Sequence, residues 1–134
     1  MLQTKDIMTK GAVCVRKYTP VSEVIQVLVN NGITGVPVIE EDMSLVGILS
    51  EQDVLRLIHT YKQERNRTAD EFMTQPAISF DENEYLLDIC YRLRDSSIRR
   101  VPITSNGKVI GIVSRADIIR YILHLLQEPC HAGS

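Results

Sequence analysis

An excess of charge of either sign is missing from this chain, in which 15 lysines and arginines face 17 aspartates and glutamates. The balance also holds locally, with eight basic against eight acidic residues in 1–67 and seven against nine in 68–134. A protein that grips nucleic acid neutralises phosphates with a marked basic excess, so no nucleic-acid partner is expected. Long apolar runs are missing too. None approaches the roughly 18 residues that would span a bilayer, so no membrane partner is expected either. The opening MLQTKDIMTK lacks the apolar stretch of a secretory signal, which makes a cytoplasmic location the default expectation. Cys14, Cys90 and Cys130 form no C-x-x-C pair, and their odd number argues against a disulfide framework. Cys14 and Cys90 read as small buried hydrophobes.

Catalytic signatures are equally scarce. The chain has no Walker loop, no G-x-S-x-G and no cysteine paired with a positioned histidine, so nothing in it activates a nucleophile. His59 and His124 read as packed or surface residues, because no second ligand stands at a metal spacing from either. Cys130-His131 falls in a tail, residues 129–134, that is expected to fray. No metal, catalytic residue or catalytic cofactor is expected, and the chain reads as something other than an enzyme. Its 134 residues suit one compact module with a real core.

What the chain does have is repetition. Gly47–Asp53 reads G-I-L-S-E-Q-D, and Gly111–Asp117 reads G-I-V-S-R-A-D. Val36–Val38 is answered by Val101–Ile103, and Met8-Thr9 by Met73-Thr74. Met8 to Met73 and Pro37 to Pro102 are both shifts of 65 residues, whereas Gly47 to Gly111 is a shift of 64. One residue is therefore lost between two strands of the second copy, where a hairpin tolerates it. A fixed period means one structural unit used repeatedly, and here the units are 1–62 and 68–128, joined by a polar linker at 63–67. Two copies of one unit pack face to face most simply with equivalent residues arranged about a cleft.

Each unit predicts the same order of elements. In the first, residues 12–15 are extended, and Thr19-Pro20 marks a helix start with Thr as cap and Pro at the first helical position. That helix runs over 21–31 and stops at Gly32, a residue type that favours the left-handed C-terminal position. Residues 36–39 and 45–49 form a hairpin, and a second helix covers 51–61. In the second unit the corresponding segments are 77–80, 85–94, 101–104, 109–113 and 116–126, with Asn106-Gly107 as a tight turn. Tyr85, Tyr91 and Tyr121 read as packing residues on these helices. At about 100° per residue, the apolar positions of each unit's first helix cover an arc of roughly 200°, wider than one core requires. Either these helices are buried between layers of their own chain or part of each meets another subunit.

Ser-x-x-Asp at a helix start is a capping box. Ser50 or Ser114 accepts from the third helical N–H, and Asp53 or Asp117 reaches back to the N–H of the cap. The same segment also presents free N–H groups and a positive dipole end to whatever occupies a cleft. An aspartate there can accept two hydrogen bonds at once, which suits adjacent ribose hydroxyls. Both readings stand at this level.

With two copies of D-I-M-T/E-F-M-T, V-P-[VI] and G-I-[LV]-S-x-x-D in register over about residues 2–126, the chain resembles a tandem pair of cystathionine-β-synthase (CBS) domains, the Bateman module. The resemblance implies an α/β fold of the α+β kind: two β-α-β-β-α repeats packed with pseudo-twofold symmetry and clefts between paired sheets. It implies an adenosine-containing ligand (AMP, ADP or ATP, with S-adenosylmethionine or NAD as alternatives) that regulates a separate partner protein. Carried over residue by residue, Asp53 and Asp117 would hold ribose, with Ser50 and Ser114 beside them. Asp53 would face Pro76, Ala77 and Ile78, and Asp117 would face Ala12, Val13 and Cys14. Thr34, Gly35 and Val36 on one side and Arg99, Arg100 and Val101 on the other would complete the clefts, with Ile48 and Ile112 also among the ligand-binding residues. Arg99-Arg100 is either a solvated pair or a phosphate contact, since guanidinium forks match phosphate oxygens. A homodimer is expected, because such modules commonly pair through their first helices. The rival readings are a structural interaction module with empty clefts and, more distantly, a nucleotide-processing enzyme.

Overall fold

The computed structural model describes residues 2–95 and 98–129. The remainder of the tail, including Cys130 and His131, lies outside the described residues. In the first half, strands β1 (Thr9–Lys10) and β2 (Val15–Arg16) precede helix α1 (Val21–Asn31). The hairpin β3 (Gly35–Ile39) and β4 (Leu45–Ser50) leads into α2 (Glu51–Leu55), a 3₁₀ turn (Arg56–His59) and α3 (Tyr61–Glu64). In the second half α4 (Ala69–Phe72) and β5 (Phe80–Asp81) precede α5 (Leu86–Arg94), β6 (Arg100–Ser105), β7 (Lys108–Ser114) and α6 (Arg115–Gln127). The architecture is mixed α+β with two sheets, ordered β2-β3-β4 and β1-β7-β6-β5. In each sheet the short strand before the first helix pairs in parallel with the hairpin, a right-handed crossover being the usual way to close such a unit.

The hairpins obey the repeat, including its missing residue. Val38/Ile39 and Ile103/Thr104 each carry a register shift, and the second hairpin closes through Asn106 (φ 53°) and Gly107 (φ 77°). Both turn residues are left-handed, as a two-residue turn matching the strand twist requires. The two hairpins also bond to each other: the Leu45 N–H donates to the Gly107 carbonyl at 3.1 Å, and the Val109 N–H to the Met43 carbonyl at 3.0 Å. A shift of 64 residues exchanges these two bonds, so they mark a pseudo-twofold axis between the repeats.

The opening segments cross over. β1 pairs antiparallel with β7 of the second repeat, Thr9 opposite Ile112. Thr74 bridges Ile48 of the first repeat in the same way, through N–H···O bonds of 2.8 and 3.1 Å. Leu2, Ile7 and Met8 accordingly pack on the core of Leu86, Ile89, Leu93, Val101, Ile103, Val113 and Ile118. Ala69, Phe72 and Met73 pack with Val21, Val24, Leu28, Val36, Val38 and Leu49.

This crossing explains a sequence feature and corrects another. At Gly47 a Cβ would stand 2.6 Å from Met73 Sδ and 2.9 Å from the Thr74 carbonyl, and at Gly111 it would stand 2.8 Å from both Met8 Sδ and the Thr9 carbonyl. The glycine that opens each G-I-[LV]-S-x-x-D motif is therefore the seat of the other repeat's Met-Thr. The correction concerns the caps. Thr19 does not cap α1; Pro20 occupies the cap position without a side-chain bond. The first helical N–H, of Val21, instead donates to the Arg67 carbonyl at 2.8 Å, and the Leu86 N–H likewise donates to the Leu2 carbonyl at 2.9 Å. Backbone from the opposite opening segment takes the role of a cap, so a side-chain acceptor is not needed.

Other expectations shift for local reasons. The helix expected over 51–61 breaks at Thr60, whose φ of −129° leaves the helical region. The Thr60 hydroxyl donates to Glu64 at 2.6 Å, and α3 runs from Tyr61 into the expected linker. Threonine competes with helical backbone in this way, whereas the equivalent residue in α6, His124, has no such hydroxyl. Helix α4 opens on a capping-box sequence, Thr68-Ala-Asp-Glu71, in which the Thr68 N–H donates to the Glu71 carboxylate at 3.3 Å. Of the segments 12–15 and 77–80, only their ends enter a sheet, and the residues before them remain free to face a cleft.

Replacing Gly47 by alanine forces Met73 and the Thr74 carbonyl to move, a strain costing about 1–3 kcal/mol. Urea denaturation is expected to show Gly47→Ala and Gly111→Ala both destabilised to that extent, while Gly35→Ala, whose added Cβ would meet nothing closer than 3.5 Å, changes stability little.

Candidate functional site

A cleft of about 280 Å³ opens between the two sheets at the crossing. One wall is the first repeat's Thr34, Gly35, Val36, Ile48 and Ser50, and a second is the extended stretch Pro76, Ala77 and Ile78. Arg99, Arg100 and Ile112 reach in from the second repeat. Eleven of the residues expected at a cleft are thus brought to one cavity. In the second repeat's hairpin, strand alternation decides which residue arrives. Val101 is fully buried in the core of its own repeat, and its neighbour Pro102 lines the cleft instead.

Pro37, Glu51, Gln52, Thr74, Ile98 and Pro102 also line the cavity, and none of them was expected there. Pro37, Pro102 and Thr74 belong to the repeated V-P-[VI] and Met-Thr units, so their recurrence was the available signal. Glu51 and Gln52 occupy the two variable positions of the motif, where the sequence offers no such signal.

Asp53 stands behind the wall. The residue is only 6% exposed, and the acceptor positions of its carboxylate are filled. Oδ2 accepts from the Ser50 N–H at 2.9 Å and the Ser50 hydroxyl at 3.1 Å. Oδ1 accepts from the Arg56 guanidinium at 3.0 Å and the Thr74 hydroxyl at 3.2 Å. Arg56 donates in addition to the Phe72 carbonyl at 3.2 Å. One buried carboxylate therefore ties the start of α2 to the opening segment that crosses from the second repeat.

Asp117 repeats the arrangement. It accepts from the Ser114 N–H at 2.9 Å and from Arg120, while the Ser114 hydroxyl accepts from the Asp117 N–H at 3.2 Å. The capping-box geometry is complete at both motifs. Asp117, Ser114, Ala12, Val13 and Cys14 are not part of the cavity lining. Residues 76–78 correspond by the 65-residue shift to 11–13, so the two opening segments are not used alike: Gly11 has a φ of 70°, where the second copy has Pro76.

Among the described residues, neither cysteine carries an activated thiol. Cys14 and Cys90 are half-buried rather than fully buried, and burial pushes both thiols above their ordinary pKa. The Cys14 thiol donates to the Ala12 carbonyl at 3.5 Å, and Cys90 packs against the core of the second repeat. His59 and His124 are exposed, the latter 3.6 Å from Glu128. Among the described residues no cluster of histidine, cysteine and carboxylate side chains is arranged to hold a metal, and no helix is long and apolar enough to cross a membrane.

The CBS domain family matches this chain twice, over residues 5–60 and 69–124. CBSX1, a chloroplastic CBS domain-containing protein of Arabidopsis thaliana, is 30% identical over 83% of the chain and 59% of its own length. The crystal structure of CBSX2 in complex with AMP superposes with a TM-score of 0.85 at 27% identity, covering 95% of this chain and 100% of that one. The CBS domain pair of protein MJ0100, in complex with 5'-methylthioadenosine and S-adenosyl-L-methionine, gives a TM-score of 0.78 at 25% identity, covering 93% and 98%. The chain spans 42% of one curated relative, MJ1225 of Methanocaldococcus jannaschii, as against 59% of CBSX1.

Removing the Asp53 carboxylate leaves the Ser50 N–H and the Thr74 hydroxyl without their acceptor. Asp53→Ala is expected to lower unfolding stability by about 1–3 kcal/mol, measured by urea denaturation without ligand. An unchanged midpoint would show that this carboxylate has no structural role.

Proposed function

The chain belongs to the CBS domain family as a tandem pair, and on that basis we propose that it is a regulatory module binding an adenosine nucleotide, AMP, ADP or ATP, in the cleft beside Pro76–Ile78. The observation that carries this reading is the meeting of two chemistries in one cavity. The apolar Ile48, Ala77, Ile78 and Ile112 and the cationic Arg99 and Arg100 line the same cavity. A flat heteroaromatic base suits the apolar side chains, and its edge can be read by backbone groups of the extended segment, which no strand partner occupies. A phosphate suits the arginines. The complexes of CBSX2 with AMP and of the MJ0100 pair with adenosine derivatives support the same ligand class.

In this reading Ser50 meets the ribose or phosphate, and Asp53 reaches ribose hydroxyls by exchanging Thr74 or Arg56. Asp117, Ser114 and Ala12–Cys14 form the equivalent half of the second repeat. Ligand binding then acts where the two repeats cross, because Asp53 and Arg56 hold both α2 and the Phe72 carbonyl. Such a coupling turns occupancy into a change of shape that a separate partner protein can sense. The module binds rather than transforms its ligand. S-adenosylmethionine is the second reading, favoured by the acidic Glu51, which lines the cleft and could meet a cationic sulfonium or ammonium group.

We also propose that the module works as a homodimer. The first helices use much of their wide apolar arc internally: Val21, Val24 and Leu28 of α1 and Leu86, Ile89 and Leu93 of α5 are buried. Val29, Leu87 and Tyr91 remain exposed on these helices. The closing helices expose more, notably Leu55 and Ile58 in the first repeat and Ile119, Ile122, Leu123 and Leu126 in α6, the last 78% exposed. Unpartnered apolar surface of this kind favours association, and a twofold dimer is the commonest closed form.

A ligand at 100 times its dissociation constant stabilises a fold by about 2.7 kcal/mol. Thermal melts are expected to rise with at least one of AMP, ADP and ATP and to stay unchanged with the corresponding guanine and cytosine nucleotides. S-adenosylmethionine is the comparison that tests the second reading. Equal shifts with ATP and GTP would remove the claim that adenine is recognised. Sedimentation is expected to give a dimer at micromolar concentration, and a monomer with and without nucleotide would overturn the assembly.

A further inference from the structure

The two opening segments dock on opposite repeats through the same bonds. In the first arm, residues 2–10, the Thr4 N–H donates to the Glu84 carbonyl at 2.9 Å and the Lys5 N–H to the Glu82 carbonyl at 3.2 Å. In the second arm, residues 67–74, the Ala69 N–H donates to the Thr19 carbonyl at 2.8 Å and the Asp70 N–H to the Lys17 carbonyl at 2.9 Å. These bonds are equivalents by the 65-residue shift, but the charges around them are reversed. Lys5 enters the loop Asp81-Glu82-Asn83-Glu84, where its ammonium donates to Asn83 Oδ1 at 3.0 Å. Asp70 enters the loop Arg16-Lys17-Tyr18-Thr19. Each arm is therefore matched in charge to the repeat it docks on and mismatched to the other.

The first arm is held as a bound peptide is held. The Thr4 hydroxyl, on a fully buried residue, donates to the Asp81 carbonyl at 2.8 Å. Met8 sits on Gly111, and Thr9 pairs with Ile112. All of these contacts are with the second repeat. The arm joins its own repeat through a short hinge, since β1 ends at Lys10, β2 begins at Val15, and residues 11–14 belong to no strand. Gly11 makes the turn at a φ of 70°, and a Cβ there would meet nothing within 4 Å. Among the described residues the second arm, by contrast, continues into structure at both ends, with α3 before it and β5 after it.

We propose that two copies of the chain exchange their first arms, residues 2–10 of each docking on residues 81–86 and the Gly111 seat of the other. The exchange stands on the arm's own contacts, apart from the exposed helix faces that carry the homodimer above. Every bond the arm gives up within its own chain is remade on the second copy, so exchange is a low-cost route to a closed dimer. A short hinge invites it. Opening the hinge takes Gly11 from its left-handed turn to the extended region, which every residue type adopts. The charge match then directs the arriving arm to the second repeat and away from the first. Exchange also reaches the cleft, because Ile112 lines it and pairs with Thr9. In the exchanged dimer that Thr9 belongs to the other copy.

The antiparallel bridge between Gln3 and Tyr85 supplies the probe. Residues directly opposite in such a pair stand about 5 Å apart at Cα, a separation that a disulfide spans. Both positions are at least partly exposed, so neither substitution opens the core. With Cys14, Cys90 and Cys130 replaced by alanine, the full chain carrying Gln3→Cys is mixed with the chain carrying Tyr85→Cys and oxidised with glutathione disulfide. Covalent dimer is expected in the mixture and in neither chain alone. A chain carrying both substitutions is expected to give closed monomer on dilution and doubly linked dimer at high concentration, read on a non-reducing gel. Adding Gly11→Val, which strains only the closed hinge, is expected to raise the ratio of dimer to monomer about five-fold or more. No covalent dimer in the mixture, or as much in either chain alone, would overturn the exchange and leave the homodimer and the nucleotide reading intact. A ratio that Gly11→Val lowers or leaves unchanged would overturn the role of the hinge, and the exchange with it.

Discussion

The fold depends on the crossing of the two opening segments. Each carries a methionine and a threonine over the glycine of the other repeat's motif, close enough that a single added carbon would collide with backbone. The approach lets strand-like bonds form between Thr74 and Ile48 and between β1 and β7. It also brings the carbonyls of Leu2 and Arg67 to the starts of α5 and α1. Without the crossing, those helix N–H groups and the sheet edges would lack partners, and unpaired backbone groups are costly when buried. Neither repeat completes its own core: Phe72 and Met73 fill the first, and Ile7 and Met8 fill the second.

The cleft follows from the same constraint. The crossing leaves the residues just beyond Thr74 extended but unpaired, and they become one of its walls. Asp53 sits at the junction, bonded at once to the start of α2, to Thr74 and to Arg56, which itself holds the Phe72 carbonyl. A cap and an inter-repeat tie are therefore not exclusive roles for this carboxylate, because both converge on the same two oxygens.

Symmetry of backbone and asymmetry of side chains have separate consequences. The paired bonds of Leu45 with Gly107 and Val109 with Met43 show that the main chain keeps its twofold relation near the axis. Side chains depart from it where a ligand would be felt: Arg99-Arg100 against Thr34-Gly35, Glu51 against Arg115, and Pro76 against Gly11. Such departures leave the core intact, since the residues concerned sit at the cleft or on the surface.

The sequence alone determined the repeat, the order of elements, the hairpins and the limits of α1, because these rest on local periodicity, on turn residues such as Asn106-Gly107 and on the left-handed Gly32. It also showed that Ser-x-x-Asp would begin a helix, and it marked most of the cleft residues through motifs that recur. The Thr68–Glu71 capping box was equally open to reading. Only the tertiary structure decided where Val101 and Pro102 point, that Arg67 and Leu2 replace side-chain caps, and that Asp53 stands behind the cleft wall rather than on it. It alone placed Arg99 and Arg100 in one cavity with Ser50 of the other repeat. The physical reason is common to all of these. Each depends on contacts between residues far apart in the chain, brought together by the crossing, and local propensity carries no information about which distant backbone will arrive.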